Sequence, residues 1–357
     1  MRKSSYILYN AALLLLMATA LTTACTSAHD EGTAAPSDKE TLKGHDIQLM
    51  PYANDFAEQN GQRRAAPSGF SAYTPDKQTN MGVYMFKPED WQNPSELLFR
   101  YVSRWSANFE AESNVNYLVY GYMPKLDGMT SSLTRTSAVA TVSTLTINGI
   151  KAITPDGLYV ITGVKNTDSG LKEGNFVWRW TDSSSETYYI HLLMDHLYAA
   201  VQFRMKIDED YAKLRTIKLK TMTLSTTVES TEVTVTLTDN ATGASPVTNV
   251  SYTTSGDYCE SEIFNNEAGV ALSTLTEQVI NAGFAPGLSG NLTLVSTFDV
   301  YDSKGNLIRK NCSATNKLPD DMSAARGQRV VVNMTVQPTY LYVLSDPDLD
   351  NPTVQVN

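Results

Sequence analysis

The chain has 357 residues, with 28 Lys and Arg against 38 Asp and Glu and a formal net charge of −10. An acidic chain lacks the basic face that phosphate binding needs, so no nucleic-acid partner is expected. The length exceeds one ordinary core and calls for two domains.

At the N-terminus, Arg2 and Lys3 precede an apolar run from Ile7 to Ala24 centred on Leu13–Leu16. Small residues, Thr22-Thr23-Ala24, lead to Cys25. That order reads as a secretory signal peptide over residues 1–24. The run approaches the roughly 17–25 apolar residues of a membrane span, but Asn10 interrupts it and no basic cluster follows. Leu21–Cys25 resembles a bacterial lipobox, with Thr22 where that pattern prefers Leu, and Cys25 is the expected lipidation site. Residues 25–46 are polar, small and Pro-bearing, the composition of a lipidated tether.

From residue 47 onward the recurring pattern is period-two alternation rich in Val, Thr, Tyr and Ile. Ile47-Gln48-Leu49-Met50 is the first short strand. Met81–Phe86, Asn116–Tyr122, Thr144–Ile147 and Leu158–Thr162 follow. Leu197–Ile207 reads as one long strand, then Ile217–Leu224 and Glu232–Thr238. Ser273–Ala282 is the best helical candidate, with Ser273 as N-cap and Gly283 as stop. Leu292–Tyr301 and Leu307–Arg309 flank the turn sequence Asp302–Asn306, a hairpin with a Gly-bearing loop. Arg329–Val336 is the last strong strand. The class is all-β, as two tandem Greek-key β-sandwich domains over residues 47–190 and 191–357.

Two segments do not fit a core. Gly61–Pro67 holds Arg63-Arg64 in a polar stretch flanked by Gly and Pro, accessible to a protease. The tail from Pro338 to Asn357 carries two extended apolar pieces, Thr339–Leu344 and Thr353–Val356, separated by Asp and Pro. Prolines forbid a helix there, so the tail must pair with a sheet of its own chain or of another.

Chemistry is sparse. Cys259 and Cys312 either pair in an oxidising compartment or stay unpaired and buried. His191 and His196, five apart near a strand start, point to opposite faces and read as ordinary histidines, so no metal is expected. Glu209-Asp210 and Asp320-Asp321 read as solvated turn charge, and Trp91, Trp105, Trp178 and Trp180 as packing. No GxSxG, HExxH or P-loop occurs, so the chain reads as a non-enzyme without cofactors.

Leu145–Val164, His196–Leu224 and the tail from Gly327 resemble the fimbrillins, the type V pilins of Bacteroides-type bacteria. The resemblance implies tandem transthyretin-like sandwiches exported as outer-membrane lipoproteins to a surface fimbrium. It further implies cutting by an arginine-specific protease after Arg64, or after the neighbouring Arg63, with Ile47, Gln48, Leu49 and Met50 in the strand removed. A strand from another copy or a related pilin then fills the slot. The donor residues would be Tyr340, Leu341, Tyr342, Val343, Leu344, Val354 and Val356. Adhesion to host or bacterial surface ligands would follow. The alternative is a surface lipoprotein that binds a glycan or other ligand and never polymerises, its tail paired within its own chain.

Overall fold

A computed structural model describes residues 41–42, 46–58, 70–73, 79–155, 157–166, 170–181, 189–239, 245–288, 292–319, 324–339 and 347–356. Its major elements begin with β1 (Asp46–Ala53), a short β2 (Ala57–Glu58), β3 (Met81–Phe86), β4 (Glu96–Tyr101), β5 (Trp105–Asn108) and β6 (Asn116–Met123). Next come β7 (Thr130–Arg135), β8 (Val142–Lys151), β9 (Tyr159–Asn166) and β10 (Tyr189–His196). The strands of one sheet run β9-β10-β1-β5-β4-β3-β6. β6 then pairs with β9, Tyr122 opposite Val160 and Met123 opposite Tyr159, so the sheet closes into a ring. Closure leaves no free edge between its members.

Within the ring, β3 and β6 are buried on both faces, which explains why they read as unbroken apolar runs. On β3, Met81, Val83 and Met85 point inward, while Tyr84 and Phe86 join the outer core. On β6 the same split separates Tyr117, Val119 and Met123 from Leu118, Tyr120 and Tyr122. Trp105, Trp178 and Trp180 are buried among the inward residues, and Trp105 Nε1 donates to the Thr79 carbonyl at 2.6 Å.

The second half supplies β11 (Ala199–Ile207), helix α1 (Glu209–Leu214), β12 (Thr216–Thr226), β13 (Ser230–Thr238), β14 (Val247–Ser255) and β15 (Cys259–Ala271). β16 (Gln278–Phe284), β17 (Thr293–Tyr301), β18 (Leu307–Lys317), β19 (Gln328–Thr339) and β20 (Asp348–Val356) complete it. One sheet runs β16-β11-β19-β20, extended beyond β16 by Ile153–Thr154, and another runs β15-β12-β17-β18. A further sheet, β7-β8-β13-β14, takes strands from both halves of the chain. All three share one core with the outer face of the ring, including Ile217, Leu219, Phe298, Phe203 and Val336.

A buried ion pair ties these layers together. Arg135 on β7 donates to Ser143 Oγ at 2.7 Å, to Tyr120 Oη and to Asp239 Oδ2 at 3.4 Å. Tyr120 belongs to the ring and Asp239 follows β13, so three elements meet on one guanidinium. Burial holds the Asp239 carboxyl above its ordinary range, against the pull of Tyr120 and Arg135.

Three expectations change. Ser273–Ala282 is no helix: Ser273 Oγ accepts from the Leu275 and Thr276 amides, both at 3.1 Å, but the chain then extends into β16. Ile280, Ala282 and Phe284 are buried at period two against β11, and that pairing overrides local propensity. The helix that forms is α1, where the Asp208 carboxylate accepts from the Asp210 and Tyr211 amides at 3.0 and 2.9 Å. Glu209-Asp210 is therefore first-turn charge on a capped helix rather than a free turn. The line drawn at residue 190 falls inside β10, a strand of the ring.

Replacing Arg135 with Ala leaves the half-buried Asp239 without its cation. Urea unfolding followed by tryptophan fluorescence is expected to show a loss of about 3 kcal/mol. A loss below about 1 kcal/mol would mean the pair is solvated like a surface bridge.

Candidate functional site

Of the residues singled out toward the two ends of the sequence, Ile47–Met50 lie on β1 in the ring, and Val354 and Val356 lie on β20, paired with β19 in the second sheet. β1 lies between β10, which it meets in parallel, and β5, which it meets antiparallel. Ile47 and Leu49 point into the ring and are 0% and 2% exposed. Gln48 and Met50 point outward and are half-buried. Arg104 donates to Gln48 Oε1 at 3.1 Å and to Tyr189 Oη at 2.8 Å, so it straps β1 to β10. Tyr52 Oη shares a 3.2 Å hydrogen bond with His191 Nδ1 on the same outer wall.

Beyond β1 the chain crosses to the second sheet. β2 pairs in parallel with the start of β19, Ala57 opposite Gln328 and Glu58 opposite Arg329. The Ala57 amide donates to the Gly327 carbonyl at 2.8 Å. β11 occupies the other edge of β19. β2 and β20 therefore share one edge, β2 at Gln328–Arg329 and β20 at Met334–Thr339.

His196, at the end of β10, sits where the crossing happens. It is 2% exposed, and its Nε2 donates to the Asn54 carbonyl at 2.7 Å. Its ring lies between Phe56, with centroids 3.6 Å apart, and Tyr159, at 4.6 Å. Burial lowers its pKa from the ordinary histidine value, against the opposing effects of Asn54 and nearby carboxylates. His191 faces Tyr52 instead, so the two histidines do not converge. No group of three or more His, Cys, Asp or Glu able to hold a metal occurs among the described residues.

The tail residues Val354 and Val356 lie on β20, opposite Val336 and Met334 of their own chain. Other contacts hold that strand. Tyr211 Oη donates to the Leu349 carbonyl at 2.8 Å, and Asn316 Nδ2 donates to the Val354 carbonyl at 2.8 Å. Arg215 donates through Nε and Nη2 to Asp350 Oδ1 at 3.1 and 2.8 Å. Cys25, Arg63, Arg64 and Tyr340–Leu344 lie outside the described residues.

Cys259 and Cys312 are both free and buried. Register explains why. Cys259 stands opposite Thr226 of β12. Cys312 stands opposite Phe298 of β17, which faces Leu219 of β12. Seven residues along β12, from 219 to 226, separate the two levels, roughly 23 Å, whereas a disulfide needs Cα atoms within about 7 Å. Burial raises the Cys312 pKa and keeps that thiol protonated. Sequence reasoning passed over Asn54, Phe56 and Tyr211, because their roles rest on neighbours more than a hundred residues away.

No protein-family profile and no curated protein matches the sequence. Among solved structures, the chain is similar to a candidate cell adhesion protein from Bacteroides fragilis, at 13% identity over 88% of this chain and 97% of that one, with a TM-score of 0.42. It is similar to a fimbrial protein from Bacteroides vulgatus at 13% identity over 87% and 98%, with a TM-score of 0.38. The fimbrial anchor protein Mfa2 from Porphyromonas gingivalis aligns at 11% identity over 87% and 97%, with a TM-score of 0.28.

Two measurements check the site. Tyr211→Phe removes the hydroxyl that holds Leu349 and is expected to cost about 1 kcal/mol and to speed amide exchange in β20. Unchanged exchange there would show that Tyr211 does not hold the strand. Intact mass after alkylation in denaturant, without reductant, is expected to show Cys259 and Cys312 both modified. Neither modified would overturn the register argument.

Proposed function

We propose that the protein is a structural subunit of a bacterial surface fimbria. In this reading it is exported, lipidated at Cys25 and held at the outer membrane. It is then cut after Arg64 or Arg63 by an arginine-specific protease and polymerised by strand exchange for adhesion and biofilm formation. The observation that carries the reading is the position of β1. It is a stave of a closed ring, and the dibasic segment separates it in sequence from every other stave. One cut there severs the covalent link of β1 and β2 to the rest of the chain, so that only pairing and packing hold them.

Losing β1 opens the ring between β10 and β5 and uncovers the pockets of Ile47 and Leu49. Fully burying such side chains is worth about 1.5–3 kcal/mol each, so an opened ring favours a replacement strand. Backbone pairing supplies affinity and alternate side chains supply register. Val354-Gln355-Val356 repeats the pattern of Ile47-Gln48-Leu49: an apolar residue, Gln, an apolar residue. In β20, Val354 is buried and Gln355 exposed, the same alternation. A second copy's Gln355 would therefore meet Arg104 where Gln48 does. Donor and slot sit at different places on one subunit, so the contact does not close and gives a filament. The adhesion and fimbrial descriptions of the aligned structures are in keeping with this reading.

A second reading has its own observation. β20 is paired within its own chain and held by Tyr211, Arg215 and Asn316. That arrangement suits a surface lipoprotein that binds a glycan or other ligand without polymerising.

Trace trypsin on residues 26–357 separates the two. The pilin reading expects loss of the N-terminus through Arg63 or Arg64, followed by ladders or fibres. A stable monomer that keeps its first strand supports the second reading. Removing residues 339–357 is expected to abolish assembly. Polymers from that truncation would show that the tail is not the donor.

A further inference from the structure

We propose that His196 is an acid-sensitive clamp on the segment joining β1 to β2: as a neutral ring it holds residues 54–56 across both sheets, and as a cation it releases them. The inference stands whether or not the protein polymerises, because it concerns contacts within one chain.

The tautomer follows from geometry. A carbonyl oxygen only accepts, so the 2.7 Å contact with Asn54 requires the hydrogen on Nε2. In the neutral ring Nδ1 is then a bare lone pair. That atom is buried with no hydrogen-bond partner among the described residues. Protonation adds an N–H donor and a charge at a buried atom that has no hydrogen-bond partner in the neutral state, a costly arrangement for a buried polar group.

The surrounding charges do not rescue the cation. Asp195, on the same strand, accepts from the His196 amide through Oδ1 at 2.8 Å and is paired through Oδ2 with Arg326 at 2.8 Å. Arg326, just before β19, also donates to the His196 carbonyl at 2.9 Å, so a fixed positive charge lies close by. Glu173, from the turn after β9, faces the Asp195–Arg326 pair, and burial raises its own pKa. Asp55, on the clamped segment itself, is exposed and favours the cation, a smaller influence than burial. From β14, Tyr252 donates to the Leu197 carbonyl at 2.5 Å and adds no anion. Burial remains the largest influence on His196 and favours the neutral ring.

Release has somewhere to go. Phe56 borders a cavity of about 190 Å³ also lined by Tyr73, Tyr159, Asn281 and Arg329. When the Phe56 ring swings away, water reaches the imidazolium. What lets go is the crossing between the sheets, with Ala57 held by Gly327 immediately after it.

The direction in pH is set by the lowered value. A histidine whose folded pKa lies below its unfolded value stabilises the closed segment fully above that unfolded value, about 6.5. The contribution is lost as pH falls below it, through the lowered folded value. The clamp is therefore closed near neutrality and open in mild acid.

Hydrogen exchange by mass spectrometry on the full chain, corrected for intrinsic rates, tests this between about pH 7.5 and pH 5. Peptides covering residues 54–58 are expected to lose about tenfold in protection in acid, while β12 and β17 keep theirs. His196→Gln retains a side-chain donor for Asn54 but cannot titrate, so its protection is expected to be independent of pH. Unchanged wild-type protection, or an equal acid loss in His196→Gln, would overturn the clamp. Should the variant fail to fold, the wild-type His196 Cε1 proton resonance gives the answer: titration below the ordinary histidine value supports the clamp, and titration at or above it overturns it.

Discussion

The parallel seating of β1 against β10 is the constraint on which the rest depends. Without it the first sheet is an open strip with two raw edges and an uncovered apolar interior. With it the sheet closes on itself, and its outer face becomes free to serve as one wall of the larger core. Ile47 and Leu49 fill the inside while Gln48 takes the Arg104 strap outside. One strand of alternating character therefore satisfies both faces of the wall it completes.

The second constraint is the shared edge of β19. The first segment of the chain and the last one meet there, β2 at one end of the strand and β20 at the other. Residues 57–58 and 348–356 thus meet on one β-strand, whose opposite edge is locked to β11. His196 stands between the two sheets and contacts the segment that bridges them.

Legibility in the sequence followed the range of the interaction. β3, β6, β12 and β13 were readable because alternation and apolar runs are local consequences of which faces are buried. The hairpin at Asp302–Asn306 was readable because turn chemistry is local: Asp302 accepts from the Lys304 and Asn306 amides at 2.8 Å. Ser273 misled because its cap-like hydrogen bonds are real, while the conformation of residues 278–284 is decided by pairing with β11. Ring closure was not readable, since nothing near Ile47 announces a parallel partner at Ile190 and Leu192. His196 looked ordinary for the same reason. Its significance lies in Asn54 and Phe56, and no spacing rule connects them.

The central claim is that the slot of β1 accepts a strand from another chain. Native mass spectrometry of protein cut at Arg63 or Arg64 and mixed with a synthetic peptide of residues 338–357 tests it most directly. The account predicts that the fragment ending at the cut is displaced and that one peptide binds per protein. A cut protein that keeps its own fragment and binds no peptide would contradict it.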